Sequence, residues 1–177
     1  MGGSAATDGL LVRRIRRGDT DAAATLVERH YDRAWRVAFG ITGYREDADD
    51  ATQEAFERAL RRLDDFDTSR PFGPWVHRIA ANCAVDIIRR RRHDGPAPIP
   101  DTIAEHRTAA AGTTLSVEVV AAVQRLPFDQ RAVVILRLYA GFTPAETAAI
   151  LDIEVGTVHS RLSRGRSHLR QQLGEPE

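Results

Sequence analysis

The sequence predicts an all-α protein made of two small helical bundles joined by a flexible linker, the second bundle containing a helix-turn-helix. Three observations support this fold class. Apolar residues recur every three or four positions over most of the 177 residues, which is the spacing of amphipathic helices. No convincing run alternates strictly between apolar and polar residues, as a half-buried strand would. The segment DGPAPIP at 94–100 separates the helical stretches, because its prolines cannot continue a helix.

The first bundle is predicted to cover residues 10–93, after a disordered N-terminus at 1–9 that is small and polar. Either Asp19 or Thr20 is suited to cap its second helix, since Asp and Thr side chains accept hydrogen bonds from the first free backbone amides. The four predicted helices run, in chain order, over 10–17, from the 19–20 cap to near 40–43, over 45–63, and from 72 into the arginine run at 89–92, with a loop at 64–71.

A linker rich in proline, glycine and alanine is predicted at 94–112, and the second bundle at 113–173, followed by a short tail at 174–177. Bundles of this size are small, but each can bury a core. The four helices predicted in the second bundle cover about 113–125, 128–140, 144–151 and 155–172.

The composition is that of a soluble cytoplasmic protein. No apolar stretch reaches the roughly 18 residues of a membrane-spanning helix, and the N-terminus lacks the features of a signal peptide, so no membrane insertion is expected. The single cysteine, Cys83, cannot form an internal disulfide, which favours a reducing compartment. No paired metal-ligand spacing and no nucleotide-binding loop is present, so we predict no metal, no cofactor and no enzymatic activity.

Charge is distributed unevenly along a chain of zero net charge, in which every basic residue is arginine. Residues 45–67 hold nine acids against four arginines, whereas 75–94 hold five arginines against two acids. Residues 155–173 hold four arginines and no acid. Solvated helix faces would explain all three segments, but separate acidic and basic surfaces also indicate two kinds of partner.

The segment at 141–173 is typical of a helix-turn-helix. Thr143 can cap a helix, Pro144 suits its first turn, and Glu146 stands where a capping box needs an acid. Asp152 and Ile153 form the predicted turn into the last helix. This local pattern favours a DNA-binding motif over a plain surface helix.

The last helix is predicted to place one apolar stripe inward, formed by Val155, Val158, Leu162, Leu169 and Leu173. Small polar residues and arginines lie on the remaining surface. Short side chains let a helix enter the major groove closely, and arginine can bind guanine or phosphate. The predicted DNA-contacting residues, including two backbone amides at the helix start that favour a phosphate, are Gly156, Thr157, His159, Ser160, Arg161, Ser163, Arg164 and Arg166.

The helix that begins at Phe72 is predicted to bury one face and to carry polar groups on the other. Its core residues are Phe72, Trp75, Val76, Ile79, Cys83 and Ile87. Arg78, Asn82 and Arg89 lie roughly opposite. An exposed asparagine can hydrogen-bond a base or water, and terminal arginines also suit the helix dipole, so this face alone does not establish DNA binding.

Three stretches resemble the extracytoplasmic-function sigma factors, the smallest class of bacterial sigma-70-type factors. They are DADDATQEAFERAL (47–60), FGPWVHRIAANCAVDIIRRRRH (72–93) and LPFDQRAVVILRLYAGFTPAETAAILDIEVGTVHSRLSRGRSHL (126–169). Their order and spacing, and the proline-rich linker, fit that family. The resemblance covers nearly everything from about residue 10 to 173.

The resemblance implies a protein that binds core RNA polymerase, recognises the −10 and −35 promoter elements and promotes melting. The acidic helix would bind the clamp helices of the largest polymerase subunit, and the second bundle would meet the flap of the second subunit. The implied polymerase contacts are Asp49, Asp50, Gln53 and Glu54. The implied contacts to the melted non-template strand, where a base is flipped into a pocket, are Asp67, Phe72, Arg78, Asn82, Arg89 and Arg90.

The −35 duplex would be bound by the residues predicted above for the last helix, with Arg161 and Arg166 holding phosphates or pairing within the protein. Four positions depart from the family, among them Thr147, where isoleucine is usual, and Glu154, which replaces a better capping residue. His159 stands where a lysine or arginine is frequent, and Gly165 stands where alanine is frequent. A glycine inside a helix costs about 1 kcal/mol relative to alanine, so we expect Gly165 to weaken the domain.

Two other functions stay open from sequence. A conventional helix-turn-helix regulator would bind duplex DNA without polymerase, usually as a dimer. An anti-sigma or adaptor bundle would bind no DNA at all. The acidic segment and the arginine-ended helix have no evident role in the first, and the capped helix-turn-helix argues against the second. Whether an anti-sigma factor masks this chain is not readable from its sequence.

Overall fold

The computed structural model describes residues 3–94 and 116–174, and all regular structure in these ranges is helical. The predicted all-α class is therefore confirmed. The eight α-helices of the described residues are α1 Gly3–Ile15, α2 Thr20–Thr42, α3 Arg45–Arg61, α4 Phe72–Asp94, α5 Val117–Gln124, α6 Phe128–Val134, α7 Pro144–Leu151 and α8 Val155–Leu173. Leu63–Asp65 forms a 3₁₀ turn, and Ile135–Tyr139 extends α6 as a π-helical segment. Nearly all of the predicted linker at 94–112 lies outside the described residues.

The first helix begins earlier than predicted. α1 starts at Gly3, so the prediction of a disordered N-terminus through residue 9 is wrong for residues 3–9. Asp8 explains the difference, because its carboxylate is buried and lies 2.7 Å from Arg29 Nη1 and 2.9 Å from His30 Nε2. This charged anchor ties α1 to α2, and nothing in the local sequence of 1–9 indicates it.

α2 has the ends that its sequence predicts. The Asp19 side chain accepts a hydrogen bond from the Ala22 amide at 3.0 Å, which satisfies one of the free amides of the first turn. Gly43 ends the helix with φ +77°, a left-handed conformation that glycine adopts without strain. The side chains of Leu26, Val37 and Ile41 are fully buried. α2 is thus the central helix of the first bundle, with α3 and α4 packed against it.

Alanines let α3 lie close to its neighbours. Ala48, Ala51, Ala55 and Ala59 recur every three or four residues and have no exposed surface, so the backbone of α3 approaches α2 and α4 without large side chains between them. The opposite face of α3 is exposed to solvent and carries most of the acidic side chains of this helix. Cys83 of α4 lies in this core, and burial raises the pKa of its thiol to about 11. It is therefore a packing residue.

The second bundle packs α5, α6 and α7 around α8. Val133, Leu136, and Val158 are buried at its centre. Gly165 of α8 is also buried, directly against α6, where a β-carbon would lie 2.8 Å from Val134 Cγ2. The expectation that Gly165 merely weakens the domain is therefore incomplete, because the absence of a side chain permits this close approach of α6 and α8.

We expect Gly165→Ala to lower the free energy of unfolding by about 1 kcal/mol, because the stiff valine must move to admit the methyl group. Urea unfolding followed by circular dichroism measures this change. Gly156→Ala is the matched control in the same helix. It has open space around it, so it should gain the helix propensity of alanine. Equal stabilisation by both substitutions would contradict the packing explanation.

The two bundles also contact each other. Gln124 and Arg131 of the second bundle hydrogen-bond backbone carbonyls at the C-terminal end of α2. α7 lies against α4. None of the described helices combines the length and the apolar character needed to cross a bilayer.

Candidate nucleic-acid interface

α7 and α8 form the helix-turn-helix that the sequence predicts. The Thr143 hydroxyl accepts from the Glu146 amide at 3.2 Å, while the Glu146 carboxylate accepts from the Thr143 amide at 2.8 Å. These bonds make a complete capping box and lower the pKa of Glu146. Asp152, with φ +51°, ends α7 in the left-handed region, which aspartate tolerates better than most residues. α8 begins three residues later, so the turn is as tight as predicted.

The inward stripe of α8 is shorter than predicted. Val158 and Leu162 are buried and Leu169 is half-buried. Val155 and Leu173, at the two ends, are 40% and 38% exposed, so their assignment to the core is wrong. The apolar periodicity of α8 therefore continues beyond its buried residues.

The predicted DNA-contacting residues of α8 fall into two groups. Arg161 and Thr157 are half-buried, and Arg161 Nη2 lies 3.5 Å from Asp129 Oδ2. This supports pairing within the protein, which was one of the two expectations for Arg161. The remaining members, all exposed, are Gly156, His159, Ser160, Ser163, Arg164 and Arg166.

Arg164 and Ser160 occupy adjacent turns of the exposed face. Arg164 Nε donates to the Ser160 carbonyl at 3.3 Å, and the Ser160 hydroxyl donates to the Thr157 carbonyl at 3.0 Å. The contact uses one edge of the guanidinium. The two terminal amino groups can then form the paired hydrogen bonds that a guanine or a phosphate accepts.

The face of α4 carries the second predicted set. Asn82 is half-buried, and Arg89 and Arg90 are exposed. Arg78 has a 41% exposed side chain, and its Nη2 lies 3.0 Å from Glu146 Oε1. Arg89 Nη2 donates to the Leu151 carbonyl at 2.7 Å. The structure thus places Arg78, Asn82 and Arg89 on one face of α4, and α7 of the second bundle lies against that face. Arg90 lies to the side of this face, and its Nε donates to the Asp86 carbonyl of α4.

Phe72 is the predicted DNA contact that the structure contradicts. Its side chain is 1% exposed and belongs to an aromatic cluster, with ring centroids 5.6 Å from Phe66 and 5.5 Å from Trp75. The neighbouring His77 is buried too, and desolvation lowers its pKa to about 3. A flipped base cannot reach Phe72 in this conformation. Its second assignment from sequence, to the core, is the correct one.

The loop before α4 is held by its own side chains. Asp67 Oδ1 accepts from the Ser69 amide at 2.9 Å and from the Ser69 hydroxyl at 2.7 Å, and these bonds lower the pKa of Asp67. Its other carboxylate oxygen lies 3.4 Å from Arg70 Nε. Asp67 is exposed, but its hydrogen bonds indicate that it shapes the loop.

Arg16 is a site residue that the sequence does not indicate. From the turn that follows α1, its guanidinium donates to the carbonyls of Leu63, Asp64 and Phe66 at 2.6–3.1 Å. These carbonyls belong to the 3₁₀ turn and its exit, immediately before the Asp67 loop. Arg16 therefore fixes the start of the loop. One arginine among several at the end of a short helix gives no sequence signal for this role.

We expect Arg16→Ala to increase amide hydrogen exchange in residues 64–70, because three carbonyls lose a charged donor worth about 1.5–3 kcal/mol per bond. Hydrogen exchange with mass spectrometry measures this directly. Arg17→Ala is the matched control, because Arg17 is exposed and its substitution removes the same positive charge. Equal exchange in the two variants would mean that Arg16 does not hold the loop.

The acidic face of α3 contains the predicted polymerase contacts. Asp50 and Gln53 are exposed, and Glu54 is half-buried and lies 2.5 Å from Arg58 Nη2. Asp49 differs, because its carboxylate accepts a hydrogen bond from the Trp35 indole at 2.6 Å. Three of the four residues thus offer polar groups to a partner, while Asp49 also joins α3 to α2.

No three His, Cys, Asp or Glu side chains of the described residues come together as metal ligands. The arrangement combines two polar or basic faces, one on α4 and one on α8, with a separate acidic face on α3. Such surfaces are suited to binding two segments of nucleic acid and one basic protein surface.

Comparisons with known proteins identify both bundles. Residues 26–93 match the family described as Sigma-70 region 2, and residues 116–169 match Sigma-70, region 4. The ECF RNA polymerase sigma factor SigW of Bacillus subtilis is 32% identical over 176 residues, covering 92% of this chain and 94% of that protein.

Solved structures agree in fold. The structure of CnrH in complex with the cytosolic domain of CnrY matches with a TM-score of 0.61 at 27% identity, covering 97% of this chain and 99% of CnrH. The sigma factor RpoE of Bartonella quintana, solved with the anti-sigma factor NepR, matches with a TM-score of 0.67 at 24% identity. That match covers 87% of this chain and 98% of RpoE.

Proposed function

The chain belongs to the extracytoplasmic-function RNA polymerase sigma factors of the sigma-70 family. From this premise we propose which surface of the chain binds each partner during transcription initiation. The exposed acidic face of α3 docks on the clamp helices of the largest polymerase subunit. The first bundle binds the melted −10 element, the second binds the −35 duplex and meets the flap of the second subunit, and together they promote promoter opening.

One observation carries the −35 assignment. The capped α7 and the tight turn present α8 with Ser160 and Arg164 exposed on one face. Small residues allow the helix to lie deep in the major groove, and the guanidinium of Arg164 matches the paired acceptors of guanine.

The −10 assignment rests on α4 and the loop before it. Extruding a base from a duplex costs a few kcal/mol, which a protein pocket and phosphate contacts must offset. Asn82 supplies a hydrogen-bonding amide on the α4 face, and Arg78, Arg89 and Arg90 supply positive charge. The Arg16-anchored loop forms the other wall of the pocket, with Asp67 shaping the loop and Phe72 supporting it from the core.

The remaining partners follow from the same surfaces. CnrH and RpoE were each solved with a partner protein, named in the second case as an anti-sigma factor, and we propose a protein of that kind as a regulator of this chain. The polymerase catalyses RNA synthesis, so we propose that the chain acts as a binding factor without catalysis or a cofactor of its own. Its proposed location is the cytoplasm, where it would meet the polymerase.

Run-off transcription with purified core polymerase and genomic promoter fragments tests the proposal. We expect the chain to stimulate initiation at a subset of fragments that core polymerase alone does not use. Sequence-selective binding to duplex DNA, with no association with polymerase, would instead identify a helix-turn-helix regulator. Inertness in both assays would favour an adaptor protein.

A further inference from the structure

Helix α1 contacts the loop before α4 at Thr68, in addition to the carbonyls that Arg16 holds. Arg13 Nη1 donates to the Thr68 hydroxyl at 3.4 Å. Gly9 is buried, and a β-carbon placed on it would lie 3.0 Å from the Thr68 carbonyl oxygen and 3.7 Å from Thr68 Cβ. The centre of the loop therefore lies directly against the backbone of α1, one residue after Asp67.

The contact with Thr68, and not the backbone of α1, accounts for the glycine at position 9. Gly9 lies inside α1 and is not among the residues with a positive φ. A glycine inside a helix costs about 1 kcal/mol relative to alanine, so α1 alone would be more stable with alanine here. A methyl group at this position would instead press on a backbone carbonyl of the loop.

Helix α1 is held in place on both sides of Gly9. The buried carboxylate of Asp8 lies 2.7 Å from Arg29 Nη1 and 2.9 Å from His30 Nε2, both on α2. Val12, one turn later, has no exposed surface. A larger side chain at position 9 would therefore displace the partly exposed loop more easily than it would displace the helix.

The anchor of α1 also reaches the start of α4. The ring of His30, which contacts Asp8, has its centroid 5.4 Å from that of Phe72. A β-carbon on Gly73 would lie 3.2 Å from both Nδ1 and Cε1 of His30. Because Arg16 holds the carbonyls at the other end of the loop, both ends and the centre of the loop are fixed relative to α1.

This loop has its conformation before any DNA binds. Its entry is held by Arg16, its centre by Gly9 and Arg13, and its tip by the hydrogen bonds of Asp67 to Ser69. A site that is fixed in advance loses little conformational freedom on binding. It also discriminates between ligands by fit, whereas a flexible site can repack around several of them.

We propose that α1 positions the −10 loop, and that Gly9 sets the place of Thr68 and thereby which extruded base the pocket accepts. Gly9 is a positioning residue, because it is buried and acts through Thr68. The proposal rests on the −10 role proposed above for the loop and α4. A misplacement of about 1 Å in a binding site can cost about 100-fold, so the position of Thr68 is enough to change the choice of base.

Run-off transcription by holoenzyme tests this on templates that carry each of the four bases at every −10 position. We expect Gly9→Val to lower the ratio of transcription between the preferred and the next base by about tenfold at one −10 position. Gly9→Ala should act at the same position but less strongly, since the methyl group requires a shift of only a few tenths of an ångström. Neither variant should change the preference for −35 sequences.

Leu10→Val is the matched control, because it places valine at the next position of α1, where the side chain is 56% exposed. It should keep the base preferences of the parent. A loss of activity by the Gly9 variants that is equal for all four bases is the result of a merely structural role, and it would overturn the proposal.

Hydrogen exchange of the free chain supplies the second measurement. Residues 67–70 should exchange faster in the Gly9 variants and at the parent rate in Leu10→Val, and parent rates in every folded Gly9 variant would contradict the contact with Thr68. Circular dichroism identifies a variant that fails to fold, and Gly9→Ala keeps the test decisive if Gly9→Val does so. An active parent holoenzyme with unchanged preferences in the variants refutes only the role of Gly9, whereas a parent holoenzyme that initiates at no promoter refutes the sigma role itself.

Discussion

Replacing both Asp50 and Glu54 with lysine is expected to weaken assembly with core polymerase by about 10–100-fold, because the lysines would place like charges against a basic surface of the partner. Asp50 is exposed and Glu54 is half-buried one turn later on the same face of α3. Neither packs in the core, so the variant should fold. Fluorescence anisotropy of labelled chain titrated with core polymerase measures the effect.

The matched control is Glu28→Lys with Asp32→Lys, which makes the same charge change at the same spacing on exposed positions of α2. It should assemble as the parent does if α3 is the specific contact. Equal assembly by both double variants and the parent would remove α3 from the polymerase interface. Equal weakening by both would indicate a response to net charge alone.

Arg164→Ala is expected to weaken binding of the −35 duplex by about 1–3 kcal/mol if the guanidinium pairs with a guanine. The exposed side chain is held only through Nε to the Ser160 carbonyl, so its removal should leave α8 intact. Titration of a labelled −35 duplex at several salt concentrations measures both affinity and its salt dependence.

Arg170→Ala serves as the control, because it removes one charge from an exposed position near the end of the same helix. A loss that is uniform across DNA sequences, with a smaller salt slope, would assign Arg164 to a phosphate instead of a base. Unchanged affinity at matched salt would exclude Arg164 from the interface.

Features determined by neighbouring residues could be predicted from sequence. The Asp19 cap, the Thr143–Glu146 capping box and the Gly43 terminus each depend on hydrogen bonds or backbone angles within a few positions. For the same reason α7 begins at Pro144 and α8 at Val155, as expected. The exposure of Ser160 and Arg164 follows from helical periodicity once Val158 and Leu162 are assigned to the core.

Features determined by distant residues could not be predicted in this way. Helix α1 extends to Gly3 because Asp8 meets Arg29 and His30, more than twenty positions away. Helix propensity makes Gly165 a cost, but only the position of Val134 shows that alanine does not fit.

In the candidate site, too, features determined by neighbouring residues could be predicted and features determined by distant residues could not. The sequence indicates the faces of α4 and α8, because each follows from the periodicity of one helix. It cannot indicate that Phe72 lies within an aromatic cluster, or that Arg16, in the turn after α1, holds the carbonyls of Leu63, Asp64 and Phe66. The role of Arg131 depends on the contact of two bundles, and no single segment contains that information.

Permanganate footprinting of a promoter that supports run-off transcription tests the central claim most directly, because permanganate oxidises unpaired thymines. With holoenzyme, thymines of the −10 element should become reactive, and Asn82→Ala should reduce their reactivity without changing protection of the −35 duplex. Protection of the −35 duplex by the chain together with polymerase, with no thymine opened at −10, would contradict the proposed role of α4.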